Sequence, residues 1–280
     1  MTDWTLSEFL FELEQDLNRR VLFVEGLRDL AFWRGVVHSN DRRNTVIYPI
    51  SSMVCEIAEG GERGRLLFIA RAIFASHLSN RVLFFADADY DRLLGREHPS
   101  NVVLTDGRDL ESYGLTPAVL AQLCTIGMGT NEATGPQVFD RIVEVTRPIG
   151  LLRIASTRVD LKLPFQRTFE SRGGIRRFLQ GKKLGARLDM SRLITTLIQN
   201  SELSLAKVVE IGELLSQEIV TQAQVAHDQI VHGKDFMRSL AFFLDLDVEQ
   251  AERLLFLSLN FAVITSRSNI ALVRKWITAA

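Results

Sequence analysis

The sequence has few cysteines, almost no net charge and no long apolar run, and each shortage excludes a class of protein. Its two cysteines, Cys55 and Cys124, lie far apart without the spacing of metal ligands, which indicates two reduced thiols in a cytosolic protein. Lys and Arg number 33 and Asp and Glu 34, so a chain that is cationic throughout is excluded, although a local basic patch is not. No apolar run reaches the roughly 18 residues that cross a bilayer.

The first residues, MTDW, have neither the basic start nor the apolar core of a signal peptide, so we expect a cytoplasmic protein. The 280 residues are 46% apolar and 24% charged, which is ordinary globular composition.

Short apolar runs rich in β-branched and aromatic residues alternate with helical patterns near 28–38 and 64–78. This alternation predicts an α/β fold with a parallel sheet covered on both faces. The predicted strands are Val21–Val24, Val46–Ile50, Val82–Ala86, Val102–Thr105 and, after a loop at 127–135 and a helix near 136–146, Leu151–Ala155.

Proline is absent from residue 190 onward, and the pattern there predicts long helices at 191–231, 236–243 and 248–279. We therefore predict three parts: an α/β domain at 1–155, a basic connecting segment at 156–190 and a helical region at 191–280. The last helix, NIALVRKWITAA, has an apolar face with Trp276 that suits a groove or a second copy of the chain, or packs on the protein's own core.

Positive charge is concentrated in one stretch of the chain. Residues 141–190 contain 12 Lys and Arg against 4 Asp and Glu, a local net charge of +8. The densest part, RGGIRRFLQGKKLGAR at 172–187, also has glycines that let a backbone approach a phosphate. We expect this segment to bind the nucleic-acid backbone through Arg172, Arg176, Arg177, Lys182 and Lys183.

Acidic residues follow two of the predicted strands. Glu25 comes after VLFV, and Asp87 and Asp89 come after VLFFA. Ligands bind beyond the carboxyl ends of parallel strands, so these carboxylates should lie together and need a cation such as Mg²⁺ among them. If the next helix begins at Leu27, Asp29, one helical turn after Glu25, is placed to reach the same point. A single acidic residue after a strand is more often a turn former or a helix cap. The prediction therefore rests on the occurrence of acidic residues after two strands of the same sheet.

The strings VLFVEG and VLFFADADYD resemble the TOPRIM fold of topoisomerases, primases and OLD-type nucleases. More narrowly, the chain is similar to a TOPRIM-like family encoded beside ABC-type ATPases, whose members include toxic effector nucleases of PARIS-type anti-phage systems. NVVLTDGRDLESY at 101–113 and HGKDFMRSL at 232–240 support the narrower likeness. The fold implied is a compact TOPRIM-like Rossmannoid unit with a mainly helical C-terminal part.

The resemblance also implies roles for individual residues. Glu25, Asp87 and Asp89 match the family's catalytic and metal-binding carboxylates, and Asp29 matches a further acidic position. Asp109 and Glu111 match an acidic pair after the next strand, with Glu111 a metal ligand, although an acidic pair in that position also suits a helix N-terminus. Lys234 matches a cation that stabilises charge on the phosphate, and a solvated turn lysine is the plain alternative.

These matches imply a Mg²⁺-dependent nuclease, with Mn²⁺ as a substitute ion, that acts as a dimer when released by an ABC-type ATPase. A tRNA substrate is favoured by the resemblance, and DNA stays open. Two other functions are left open by the residues. One is a non-catalytic module that binds a partner, for example through AERLLFLSLNFAVI at 251–264. The other is primase-like nucleotidyl transfer at the same metal site.

Overall fold

A computed structural model of the protein describes residues 4–42, 44–55, 60–131, 134–259 and 264–279. The chain folds into two compact units. The first contains residues 1–106 together with 261–280, and the second contains residues 107–260. The predicted boundaries at 155 and 190 follow a different division, since residues 107–155 belong to the second unit and the last helix of the chain belongs to the first.

The first unit is built on a parallel sheet of four strands in the order β2-β1-β3-β4. Each strand lies within one residue of its predicted ends, and β3 has them unchanged. Every residue of β3 is buried, as expected for a central strand covered on both faces. The bounds are β1 Arg20–Val24, β2 Thr45–Pro49, β3 Val82–Ala86 and β4 Val102–Leu104.

The helical patterns predicted near 28–38 and 64–78 form helices in this unit. Thr5 and Glu8 form a capping box that starts the first helix. One side of the sheet carries an apolar core in which Phe23 stacks on Phe84 at 5.4 Å between ring centroids. The helices are α1 Leu6–Gln15, α2 Leu27–Val36, α3 Gly61–Phe74 and the single turn α4 Asp91–Leu94.

The second unit is mainly helical, with one antiparallel pair of two-residue strands, β5 Leu179–Gln180 and β6 Arg187–Leu188. A π-helical turn, Leu123–Gly127, continues its first α-helix. The helices are α5 Pro117–Gln122, α6 Thr134–Arg158, α7 Phe165–Glu170, α8 Met190–Gln199, α9 Lys207–Thr221, α10 His227–Ile230, α11 Gly233–Leu244 and α12 Val248–Ser258. Short 3-10 turns occur in both units, at Ser39–Asp41, Ile50–Ser52, Ser79–Arg81, Leu110–Gly114, Gly174–Phe178 and Lys183–Gly185.

The predicted strand Leu151–Ala155 is wrong, because these residues lie inside α6. Ile142, Val145, Ile149 and Leu152 recur at helical spacing and are all buried. The predicted loop at 127–135 overlaps the start of this helix, since α6 begins at Thr134, and residues 132–133 lie outside the described ones.

The predicted long helix at 191–231 is three shorter ones. The break after α8 has a local cause in Ser201, whose hydroxyl donates to Ile198 O and accepts from Leu203 N. Serine side chains compete in this way with helical backbone bonds. Similarly, the predicted helix 248–279 is interrupted, since α12 ends at Ser258 and residues 260–263 of the proposed docking stretch lie outside the described residues.

The last helix, α13 Ser268–Thr278, packs within the sheet unit. Its residues Ile270, Val273 and Ile277 are fully buried. Arg20 of β1 donates to Trp276 O at 2.8 Å and lies over the Trp276 ring at 4.9 Å. The apolar face that suited a groove or a second copy is therefore covered by the protein's own core. No helix among the described residues has the length and apolarity to cross a membrane.

Candidate functional site

Glu25 and Asp87 lie together where β1 and β3 end. The two strands are parallel neighbours, with Val24 opposite Phe85, so the residues that follow them leave the sheet at the same edge. The backbone N–H of Asp87 donates to Glu25 Oε1 at 2.8 Å. The structure therefore brings together two acidic residues that the sequence placed at this edge.

The environment of Glu25 disfavours its charged form. Burial raises the pKa of Glu25 to about 8, and the nearby carboxylates of Asp29 and Asp89 act in the same direction. The hydrogen bond from Asp87 N and the charge of Arg63 oppose the rise without cancelling it. Such a carboxyl ionises readily only when additional positive charge approaches it.

Asp89 holds an unusual backbone conformation next to this pair. Its φ angle is +46°, in the left-handed region that non-glycine residues seldom adopt and that aspartate tolerates better than most. The turn is fixed on the buried side, where Ala88 N donates to Thr105 Oγ1 at 2.9 Å. The Asp89 side chain is 38% exposed, so its carboxylate is partly accessible to solvent. Strain of this kind is typical of functional turns.

Asp29 has a local structural contact as well as proximity to Glu25. It is the third residue of α2, and its Oδ2 accepts from Gly26 N at 3.0 Å, which satisfies an N–H at the start of the helix. Burial raises the pKa of Asp29, as it does for Glu25. The sequence placed Asp29 near the carboxylate pair on the condition that α2 begins at Leu27, and it does.

Arg63 is a member of this site that sequence reasoning did not identify. It lies in the first turn of α3, and its Nε is 3.1 Å from Asp89 Oδ2 and 3.8 Å from Glu25 Oε1. The same nitrogen donates to Asp87 O at 3.2 Å. A terminal nitrogen of the guanidinium forms a short ion pair with Asp91. One positive group thus contacts the backbone of Asp87 and the carboxylates of Asp89 and Asp91.

Asp91 holds Arg63 in place from the interior. Its side chain is 1% exposed and also accepts from His98 Nε2 at 2.7 Å and Arg96 at 3.3 Å. Burial alone would raise the pKa of Asp91, but the hydrogen bonds from Arg63 and His98 hold it below its ordinary value. Asp91 is visible in the string DADYD, but nothing in that string shows that it would pair with Arg63.

The second unit contains the other acidic pair that the resemblance identified. Asp109 is 3% exposed and caps the 3-10 turn Leu110–Gly114 by accepting from Ser112 N at 3.1 Å. It also accepts from Gly233 N at 2.7 Å. A Cβ added to Gly233 would lie 2.8 Å from oxygens of both Asp109 and Glu111, so these carboxylates meet the start of α11. Asp109 therefore makes the contacts of a helix cap, the alternative to a metal-site role, and Glu111 lies beside it.

His232 and Lys234 flank this glycine. His232 caps α11, where its Nδ1 accepts from Lys234 N at 3.1 Å. Burial and four nearby cations lower the pKa of His232 well below 6.5, and a neutral ring is what this acceptor bond requires. The Lys234 side chain is exposed. The next residue, Asp235, is fully buried and pairs with Arg153 through contacts of 2.9 Å and 3.2 Å.

The five basic residues predicted to bind nucleic acid are not equivalent. Arg172, Arg176, Lys182 and Lys183 are exposed in the second unit. Arg177 is half-buried, donates to Thr168 O at 3.0 Å and lies over the Phe178 ring at 4.6 Å. The four exposed side chains are accessible to a nucleic acid, whereas Arg177 makes structural contacts within the unit.

The residues of the sheet-edge site fit a hard divalent cation in their donor chemistry. Carboxylate oxygens are the ligands that Mg²⁺ prefers, and a bound cation would favour the ionised form of Glu25, whose pKa burial raises. The positive charge in contact with Glu25 and Asp89 in the structure is the Arg63 guanidinium. Within the described ranges, no three His, Cys, Asp or Glu side chains are already arranged around one point as metal ligands.

No protein-family model matches this sequence, and no curated protein is significantly similar to it.

Proposed function

We propose that this protein is a Mg²⁺-dependent nuclease of the TOPRIM-like type, with its active site at the carboxyl edge of β1 and β3. The observation that carries the proposal is the hydrogen bond between Asp87 and Glu25, beside the exposed carboxylate of Asp89. Acidic residues gathered at this edge of a parallel sheet are the arrangement expected of a ligand site there. The resemblance of the strings VLFVEG and VLFFADADYD to TOPRIM proteins supports the same assignment.

A divalent ion held by Glu25, Asp87 and Asp89 would polarise the scissile phosphate and make the attacking water more acidic. The protein's own groups account for the rest of the chemistry. Glu25 could alternatively serve as the general base instead of holding the ion, since its pKa in the absence of the ion is about 8. The hydrogen bond from Asp87 N to Oε1 fixes the orientation of that carboxyl.

The exposed cations of the second unit would bind the phosphate backbone of the substrate. Reversing the charge of Lys182 and Lys183 to Glu should weaken binding of all sequences and reduce the salt slope by roughly one unit for each phosphate that is no longer bound. Arg177→Gln is the control, because its structural role predicts a loss of stability without a change in the salt slope. An unchanged affinity after the double reversal would mean that this segment faces an acidic partner instead.

The biological setting follows from the resemblance alone. It implies a toxic effector of an anti-phage defence system that cleaves tRNA, with DNA as the other substrate, and works as a cytoplasmic dimer under the control of an ABC-type ATPase. Growth and solution mass on expression with and without such an ATPase test this part of the proposal. A harmless monomer in both cases would contradict it.

The proposed activity is tested by expressing the wild type, Glu25→Gln and Asp87→Asn from a tight promoter in a bacterial host, then running total RNA and genomic DNA on gels. The wild type should fragment one of these pools and both variants should leave it intact. Asp87→Asn should also keep or raise the melting temperature, since it relieves carboxylate repulsion. A non-catalytic module would behave alike in all three strains, and a primase would show templated synthesis from nucleotides.

A further inference from the structure

The guanidinium of Arg63 contacts Glu25 and the acidic turn at 87–89 that follows β3. Its Nε lies 3.1 Å from Asp89 Oδ2 and 3.8 Å from Glu25 Oε1, and it donates to the backbone oxygen of Asp87. These three residues are the proposed ligands. The side chain of Arg63 is 19% exposed, so little water intervenes to screen its charge from theirs.

Arg63 also has an anchor that does not belong to the proposed ligand set. Asp91, 1% exposed, pairs with a terminal nitrogen of Arg63 and is itself held by His98 and Arg96. The two ends of the guanidinium thus have different partners: a buried carboxylate on one side and the acidic turn on the other. Separation from Glu25 and Asp89 would leave the ion pair with Asp91 in place.

We infer that Arg63 is a built-in counter-cation that competes with the divalent metal ion for Glu25 and Asp89 and thereby sets the metal affinity of the site. A guanidinium is always charged, so it compensates the charge of Asp89, and of Glu25 when Glu25 ionises, whenever the ion is away. The ion and the guanidinium cannot both stay within about 4 Å of the same oxygens without strong repulsion. Binding of the ion therefore requires the guanidinium to leave the acidic turn while Asp91 retains it.

The inference rests on the proposed function in naming a divalent metal as the competitor, and a binding measurement separates the two. We would strip the purified protein with EDTA, titrate it with MnCl₂ and measure free Mn²⁺ by electron paramagnetic resonance. Arg63→Gln should bind Mn²⁺ with a Kd at least about tenfold lower than the wild type, because one competing charge is gone. Arg63→Lys keeps the charge and should retain most of the competition. Arg65→Gln, on the same helix and paired with Glu62 near the surface, should not change the Kd.

Removal of Arg63 alone takes a partner from buried Asp91, so the single variant is accompanied by Arg63→Gln/Asp91→Asn, which removes both charges. Tighter binding in either folded variant supports the inference. Binding as weak as that of the wild type in both variants would overturn it and leave the proposed function standing. No Mn²⁺ binding by the wild type or any variant, or binding that persists in Glu25→Gln, would contradict the inference and the proposed metal site together.

Discussion

Glu25→Gln should stabilise the sheet unit at alkaline pH while abolishing cleavage. The raised pKa of Glu25 means that the folded protein prefers the neutral carboxyl, and glutamine is neutral at every pH. The amide oxygen of glutamine can still accept the hydrogen bond from Asp87 N that Glu25 Oε1 accepts at 2.8 Å. The variant therefore keeps the geometry and loses the charge, and a gain in stability with a loss of activity is typical of a functional carboxylate.

The pH dependence follows from the direction of the shift. The folded-state pKa is about 8 against an ordinary value of 4.5, so the stability that the neutral carboxyl contributes is complete below 4.5 and is lost as the pH rises through 8. At about 1.4 kcal/mol per pKa unit, the ceiling of this loss is about 5 kcal/mol. The side chain is 18% exposed and solvent screens part of the effect, so we expect about 2–4 kcal/mol at pH 9.

Urea unfolding monitored by tryptophan fluorescence reports on the stability of the sheet unit, because Trp4, Trp33 and Trp276 all belong to it. In EDTA, the free energies of unfolding of the wild type and Glu25→Gln should be close at pH 5 and separate as the pH rises to 9. Glu62→Gln, which removes a half-exposed carboxylate of the same unit, should show a constant difference over this range. A gap between wild type and Glu25→Gln that stays constant or shrinks with rising pH would refute the reasoning.

Three further predictions concern the start of α11 in the second unit. His232→Asn should keep the helix cap but remove an acid-induced loss of stability. Because the pKa of His232 is lowered in the folded protein, the neutral ring stabilises the fold above pH 6.5, and this stabilisation is lost as the pH falls below 6.5. The free energies of unfolding at pH 7 and pH 5 measure this loss. Asp235→Ala leaves Arg153 without its buried partner and should cost about 3–5 kcal/mol, checked by urea unfolding followed by circular dichroism. Gly233→Ala places a methyl group 2.8 Å from an oxygen of Asp109 and should lower the melting temperature, whereas an unchanged melting temperature would show that this close approach relaxes freely.

The strands of the sheet were predictable because their sequences allow little else. Runs such as VLFV and VLFFA are short, continuous and rich in β-branched and aromatic residues, and turn or acidic residues bound them. The run LLRIA at 151–155 looks alike over five residues, yet it is the middle of α6. Only the longer spacing of Ile142, Val145, Ile149 and Leu152 distinguishes the two, since a buried helix segment and a buried strand share their composition.

The return of α13 to the sheet unit was not predictable from local pattern. Its amphipathic face indicates that one side of the helix is buried, but not which core it packs against. The interaction of Arg20 with Trp276 joins residues at opposite ends of the chain. Tertiary packing of this kind, rather than propensity, decides which core a helix covers. The predicted division at 155 and 190 followed changes in local pattern, which do not show that the first unit includes both ends of the chain.

In the site, the sequence indicated the acidic groups but not the basic one. Glu25 and Asp87 follow strands, and strand ends converge on one edge of a parallel sheet, so their proximity follows from topology. Arg63 comes from the first turn of a helix, and its sequence neighbourhood, GERGR, is typical of a solvated helix start. Its pairing with Asp91 depends on how α3 packs on the sheet, which no local signal specifies.

The most direct test of the proposed activity is cleavage by purified protein. Total tRNA and plasmid DNA would be incubated with the wild type and with Glu25→Gln, each in Mg²⁺, in Mn²⁺ and in EDTA. We predict cleavage of at least one substrate by the wild type in the metal buffers, and no cleavage in EDTA or by Glu25→Gln in any buffer. Cleavage that survives EDTA or the loss of the Glu25 carboxylate, or a folded wild type that cuts neither substrate with either ion, would contradict the proposed activity.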